Sequence, residues 1–282
     1  MAEFLLIGAD GMLGRGWDQL LQSRGLAFEA PGTDSLNLLD GASIDAFVKP
    51  GVRVVINCGA WTAVDEAEAH EAEATAINGT AAGALAERCR EVGATLIHYS
   101  TDYVFDGSAS EPYQVEEPHN PVNAYGRSKA LGEALLQASG ADFLLIRTSW
   151  LYAPWGKNFV LTMKELTKNR ERITVVDDQR GRPTEASHLA RTSLALLERG
   201  CRGIYHVTDG GECSWFELAR LVASIANPRC TVEPCSSDAF PRPAKRPAYS
   251  VLDISGTESL VGTMPDWQTH VRQLLDSLES AA

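Results

Sequence analysis

Phe4-Leu5-Leu6-Ile7 runs straight into Gly8-Ala9-Asp10-Gly11-Met12-Leu13-Gly14, and few folds accommodate that junction. Four apolar residues in a row predict a strand covered on both faces, and the glycines that follow predict a tight turn. Leu13, Trp17, Leu20 and Leu21 then recur at helical spacing, which packs a helix back on the strand. Strand, glycine turn and helix together form a dinucleotide-binding junction. Glycines let the backbone approach a pyrophosphate, whose charge faces the helix N-terminus. Gly8, Asp10, Gly11, Met12, Leu13 and Gly14 are therefore candidate cofactor contacts.

Further along, strand-like and helix-like segments alternate. Val52 to Ile56 reads as a buried strand, Ile77, Ala81, Ala84 and Leu85 as one helix face, Ala94 to Tyr99 as the next strand, and Phe143 to Ile146 as another. This alternation predicts an α/β fold with a Rossmann-type doubly wound parallel sheet, in which ligands gather at the carboxyl ends of the strands. Residues of chemical interest do follow the strands: Asn57-Cys58-Gly59-Ala60, Ser100-Thr101-Asp102 and Arg147-Thr148-Ser149-Trp150. Near residue 151 the character changes to shorter, proline-rich segments. Residues 1–150 are expected to form the nucleotide domain, and residues 151–282 mainly a smaller α/β substrate-binding lobe, with some chain crossing between them. Ser214-Trp215-Phe216-Glu217 is a capping box that opens a helix through Leu218, Leu221, Val222 and Ile225. A last helix after Pro265 carries Val271, Leu274, Leu275 and Leu278 on one face.

Tyr125 and Lys129, four residues apart, share one face of a helix. A phenol near pKa 10 is a poor proton shuttle at neutral pH, and an ammonium beside it stabilises the phenolate. A net charge of −12 argues against nucleic acid and anionic membranes as partners, since both reward basic patches. No apolar run approaches membrane-spanning length, and the N-terminal run, short and preceded by Glu3, predicts no signal peptide. Cys58, Cys89, Cys201, Cys213, Cys230 and Cys235 lack metal-type spacing and read as reduced cytoplasmic thiols, with Cys230 and Cys235 free to pair in an oxidising compartment.

Together the glycine turn, Asn57-x-x-Ala60-x-Thr62-x-Val64-Asp65, Ser100-Thr101-Asp102-Tyr103-Val104-Phe105, Tyr125-Gly126-x-x-Lys129, Arg147-Thr148-Ser149-Trp150, Asp178-Gln179-x-Gly181-x-Pro183-Thr184 and Arg246-Pro247-x-x-Ser250-x-Leu252-Asp253 resemble the dTDP-4-dehydrorhamnose reductase family of extended short-chain dehydrogenases/reductases. The resemblance covers nearly the whole chain. It implies reduction of the C4 ketone of dTDP-4-dehydro-L-rhamnose to dTDP-L-rhamnose by NADPH or NADH. Nucleotide-sugar dehydratases of the same superfamily follow the threonine with Asp then Glu; here Tyr103 follows Asp102, which disfavours elimination of water.

By this resemblance Tyr125 is the proton donor, Thr101 a second donor to the ketone oxygen, and Lys129 the residue that holds the ribose and keeps the Tyr125 phenol acidic. Asp34, Cys58, Gly59 and Ala60 join the cofactor set; no Lys or Arg occurs from Leu26 to Asp40, and Arg15 is the nearest cation for a 2′-phosphate. Thr62, Asp102, Tyr103, Trp150, Asn158, Arg182 and Arg246 join the substrate set, the two arginines as pyrophosphate ligands. Some members of the family bind magnesium through acidic residues at a dimer interface. The matching positions here are Gly16 and Ser187, with Glu185 and His188 nearby, so no metal is expected, and assembly is expected to be a monomer or a weak metal-free homodimer. Two other readings stay open: reduction of a related nucleotide 4-ketosugar, and a non-catalytic dinucleotide-binding regulatory subunit of the methionine adenosyltransferase type.

Overall fold

The computed structural model describes residues 2–280. Its centre is a wholly parallel six-stranded sheet in the order Gly203–His206, Asp142–Thr148, Thr95–Thr101, Val54–Asn57, Phe4–Ile7, Phe28–Glu29. The inner strands Phe4–Ile7, Val54–Asn57 and Thr95–Thr101 are buried on both faces throughout, the first as its unbroken apolar run requires. The chain leaves Phe4–Ile7 toward one edge, to Phe28–Glu29, and returns to the other side as Val54–Asn57. That reversal creates a crevice above the carboxyl ends of these strands. Helix Met12–Ser23 covers one face through Leu13, Trp17, Leu20 and Leu21; helix Ala81–Val92 covers the other. Within the latter, the buried stripe is Ala81, Ala82, Leu85, Ala86 and Cys89, and Ala84 points to solvent. The expected stripe was rotated because the five residues before it, Ala76–Thr80, form a π-helical turn that shifts the helical register.

The second half of the chain contributes to both bodies. Helix Ala186–Glu198 packs on Met12–Ser23, and Gly203–His206 joins the edge of the parallel sheet. The remainder encloses a separate core of helices Phe159–Asn169, Trp215–Ala226 and Trp267–Ser280 against the parallel pair Arg172–Val176 and Thr231–Cys235. The capping box is present in full: Ser214 Oγ accepts from Glu217 N, and the Glu217 carboxylate accepts from Ser214 N. All six cysteines are free thiols, so the Cys230–Cys235 pairing does not form. No described helix is long and apolar enough to cross a membrane.

Candidate active site

The glycine turn lies at the crevice, and two of its glycines are dictated by contact. Gly8 has φ of 76°, and a Cβ there would sit 2.8 Å from Gly59 N. At Gly14 a Cβ would fall 1.9 Å from Gly8 O, so helix and strand close on each other only without a side chain. Helix Met12–Ser23 starts at Gly11 without a side-chain cap, leaving its first N–H groups to an anion. This cradle, which any Cβ would fill, fits a dinucleotide pyrophosphate. Cys58 and Gly59, half-buried, lie against Gly8 at its floor, and Asp10, Asp34 and Ala60 are exposed. The Met12 carbonyl is held by Trp155 Nε1 at 3.0 Å, and Arg15 stacks over the Trp155 ring at 5.1 Å.

Thr101 ends the central strand and caps the 3-10 turn Asp102–Val104, accepting from Tyr103 N at 3.2 Å while donating to Asp102 Oδ1 at 2.9 Å. Asn123 caps helix Ala124–Ala138 through Gly126 N at 2.7 Å, and its amide donates to Lys245 O, tying the helix start to the C-terminal lobe. Gly126 lies against the Tyr103 carbonyl, where a Cβ would come within 2.2 Å. That close approach sets Tyr125 edge-on to Tyr103, ring centroids 5.9 Å apart. Burial, reinforced by the Asp102 charge, pushes the Tyr125 phenol up to about 12, against a hydrogen bond with Thr101 that lowers it.

Lys129 is buried and does not hold the phenol acidic as expected. Its Nζ donates to the Tyr99 carbonyl at 2.6 Å and lies 3.5 Å from His98 Nε2, because a buried amine takes the nearest acceptor. Burial brings Lys129 itself down to about 8. Behind it, His98 Nδ1 meets Asn57 Nδ2 at 3.1 Å, and Asn57 Oδ1 accepts from Gly59 N at 3.0 Å. One turn beyond Lys129, buried Glu133 receives Arg147 at 2.7 Å and His119 at 3.0 Å. Asn78, in the π-helical turn, donates to Ser128 Oγ at 2.9 Å and accepts from Trp61 N. These bonds bind the catalytic helix to the loop after Asn57.

From Tyr103 a cleft of about 650 Å³ extends into the C-terminal lobe, walled by Phe159, Ile173 to Val176, Trp215 and Phe240, with Arg170, Arg172, Arg242 and Arg246 around it. Arg246 chelates Asp65 through both guanidinium ends and faces the Tyr103 hydroxyl. Several expected substrate contacts lie elsewhere. Asn158 is consumed structurally: its Oδ1 caps helix Phe159–Asn169, and its Nδ2 donates to Ala153 O at 2.8 Å. Arg182 lines a different cavity, with Asp253, Glu258 and Asp266. Asp102 is buried, its carboxyl pushed up to about 6 by desolvation. Thr62 is exposed. Trp150, at the left-handed φ of 47°, stacks 3.5 Å behind Trp215 and above Gly181, so Trp215 is the indole that meets the cleft. Of the other cleft residues, Gln179 lay in the Asp178–Thr184 motif without being singled out, Phe159 stood beside Asn158, and Arg242 carried no motif; the capping box placed Trp215 on a helix but not on a cleft.

Gly16 lies against Ala186 and Ser187, where a Cβ would be 3.2 Å from Ala186 O. The two positions matched to the magnesium site are thus adjacent, and neither has a carboxylate. Nearby, His188 Nδ1 bonds Asp209 Oδ1 at 2.7 Å, and His270 Nδ1 lies 3.0 Å from the same oxygen. This buried trio joins helix Ala186–Glu198 to helix Trp267–Ser280, away from the cleft.

The family model described as RmlD substrate binding domain matches residues 2–280. A dTDP-4-dehydrorhamnose reductase of Streptomyces griseus is 44% identical over 90% of this chain and 86% of its own length. A dTDP-4-keto-6-deoxy-D-glucose reductase of Streptomyces niveus is 41% identical over 99% and 98%. The solved dTDP-4-dehydrorhamnose reductase of Bacillus anthracis, in complex with NADP, superposes with a TM-score of 0.92 at 34% identity, covering 98% of this chain and all of that one.

Proposed function

This chain belongs to the dTDP-4-dehydrorhamnose reductase family, and on that premise we propose how its residues carry out NAD(P)H-dependent reduction of the C4 ketone of dTDP-4-dehydro-L-rhamnose. The observation that carries the assignment of roles is the convergence of Thr101, Tyr103 and Tyr125 at the end of the central strand, between the glycine cradle and the arginine-rimmed cleft. Gly8, Gly11 and Gly14, with the N–H groups of Met12 and Leu13, hold the cofactor pyrophosphate. A bound reduced nicotinamide supplies the hydride. Tyr125 donates its proton to the ketone oxygen as charge develops there. Thr101 turns to the ketone oxygen the proton that it otherwise gives Asp102, supplying a second donor. Tyr103 covers the deoxysugar, and Arg246 with Arg242 holds the diphosphate at the cleft mouth. The nucleoside occupies the cleft between Phe240 and Trp215.

The test is nicotinamide oxidation with the ketosugar generated in place, comparing native protein with Tyr125→Phe. Turnover is expected to fall by about 10²–10⁴ with cofactor binding unchanged; a variant within tenfold of native removes Tyr125 from the role. The Streptomyces niveus relative favours one second reading, reduction of a neighbouring dTDP-4-ketosugar, and product stereochemistry by NMR separates the two.

A further inference from the structure

Hydrogen-bond accounting around Lys129 fixes the protonation of a neighbour that no motif singles out. Gly59 N–H donates to Asn57 Oδ1 at 3.0 Å, so the Asn57 oxygen is identified and its NH₂ group faces His98 Nδ1 at 3.1 Å. An amide NH₂ only donates. His98 Nδ1 must therefore accept and carry no proton. His98 is 2% exposed, and burial together with the Lys129 charge keeps it neutral. A neutral imidazole without a proton on Nδ1 carries it on Nε2.

That proton points toward Lys129 Nζ, 3.5 Å away. An ammonium has three donors and no acceptor, so charged Lys129 and His98 would meet donor to donor. A neutral amine keeps its bond to Tyr99 O and turns its lone pair to His98. Of the other charged groups facing this pair, Glu133 favours the ammonium, and Arg147 is paired with Glu133 at 2.7 Å.

We propose that His98, locked by Asn57 as its Nε2–H tautomer, is a positioning residue that presents a hydrogen-bond donor to Lys129 and loosens the proton that the amine holds. The proposal rests on the proposed function and gives Lys129 its part only after Tyr125 has given up its proton, since at rest the amine bonds Tyr99 O and not the phenol. A loosely held proton returns more readily to the phenolate left when Tyr125 has given its own to the ketone oxygen. Because Asn57 also anchors Gly59, the same chain of bonds links the floor of the cofactor cradle to the catalytic helix.

The test begins with the native protein labelled with ¹⁵N-histidine, the His98 resonances assigned by difference with His98→Gln. Nδ1 is expected to be unprotonated and Nε2 protonated across neutral pH; the Nδ1–H tautomer would overturn the proposal. Asn57→Asp then supplies the inverse. A carboxylate keeps the Gly59 bond but accepts from Nδ1–H, which turns Nε2 into an acceptor for the ammonium. The alkaline limb of kcat/KM should move up by about one pH unit, a tenfold change in the protonation equilibrium. A flipped tautomer with an unmoved limb would overturn the coupling to Lys129. Failure of the function reading would show separately, as native protein that has the expected tautomer but turns over no ketosugar.

Discussion

Replacing Glu133 by glutamine should cost this fold about 3 kcal/mol at neutral pH. Glu133 lies one turn beyond Lys129 and is 1% exposed. Burial pushes its carboxyl up, but hydrogen bonds from His119 and Arg147 and the Arg147 charge outweigh it and hold the group at about 2, against an ordinary value of 4.5. At roughly 1.4 kcal/mol per unit, that difference is worth about 3 kcal/mol of folding stability. The same magnitude follows from the other partner. Arg147 is 2% exposed, and removing one half of a buried pair costs about 3–5 kcal/mol because the remaining charge is stranded. Glutamine preserves shape and one acceptor, so the loss isolates charge rather than packing. Calorimetry at pH 7 should show the melting temperature of Glu133→Gln lowered by about 6–12 °C. The folded carboxyl titrates below the unfolded one, so this stabilisation is complete above pH 4.5 and drains away as pH falls toward 2. The gap between native and variant should therefore narrow over that interval. A fall of less than about 2 °C, or a gap that stays constant into acid, would refute the idea that the pair is net stabilising.

Gly14→Ala should abolish cofactor binding, measured by nicotinamide fluorescence, because the new Cβ would press to 1.9 Å from Gly8 O; retained affinity would mean that the turn yields more easily than its packing suggests. Arg246→Ala should raise KM for the nucleotide sugar by about 10–100-fold, as expected for losing a charged contact worth roughly 1.5–3 kcal/mol, with cofactor KM unchanged; an unaltered sugar KM would remove the diphosphate role. His270 is raised above 6.5 because the Asp209 bond and charge outweigh its burial. Its stabilisation is complete below pH 6.5 and lost as pH rises through the raised value, so native protein should lose melting temperature more steeply above pH 6.5 than His270→Asn does. Light scattering should give one mass with or without chelator, and a dimer that chelator dissolves would show that a metal bridges the subunits despite Gly16 and Ser187.

What could be read along the chain was whatever depends on neighbours in sequence. The Phe4–Ile7 strand and the glycines after it, the Ser214 cap, and the Tyr125–Lys129 face are local, since each is decided within one turn or one strand. The cleft was much less legible. Phe159, Ile173, Trp215 and the Phe240–Arg242 stretch come from four segments with no common pattern, and only the packing of the C-terminal lobe makes them one wall. Asn158 misled for a related reason: a residue next to a motif was read as a ligand, whereas helix Phe159–Asn169 needed a cap and took it.

Buried polar residues were the hardest to see, because hydrophobic periodicity assigns the core to apolar side chains and leaves polar ones to solvent. His98 sits in a strand otherwise read as packing, and Glu133 on a helix turn that would ordinarily face water. Both are inside because the catalytic helix is wedged between the central strand and the π-helical turn Ala76–Thr80, with Gly132 so close to Asn78 O that a Cβ would come within 2.1 Å. At that separation the amine of Lys129 and the carboxylate of Glu133 cannot reach water, and each needs a partner from the adjoining strands: His98 and Tyr99 for one, Arg147 for the other. The close approach that places Tyr125 and Lys129 for chemistry thus also demands the buried polar network beneath them. A substitution that widened it, such as Gly132→Val, should disturb the catalytic lysine before it disturbs the cofactor cradle, and the His98 resonances would report that order directly.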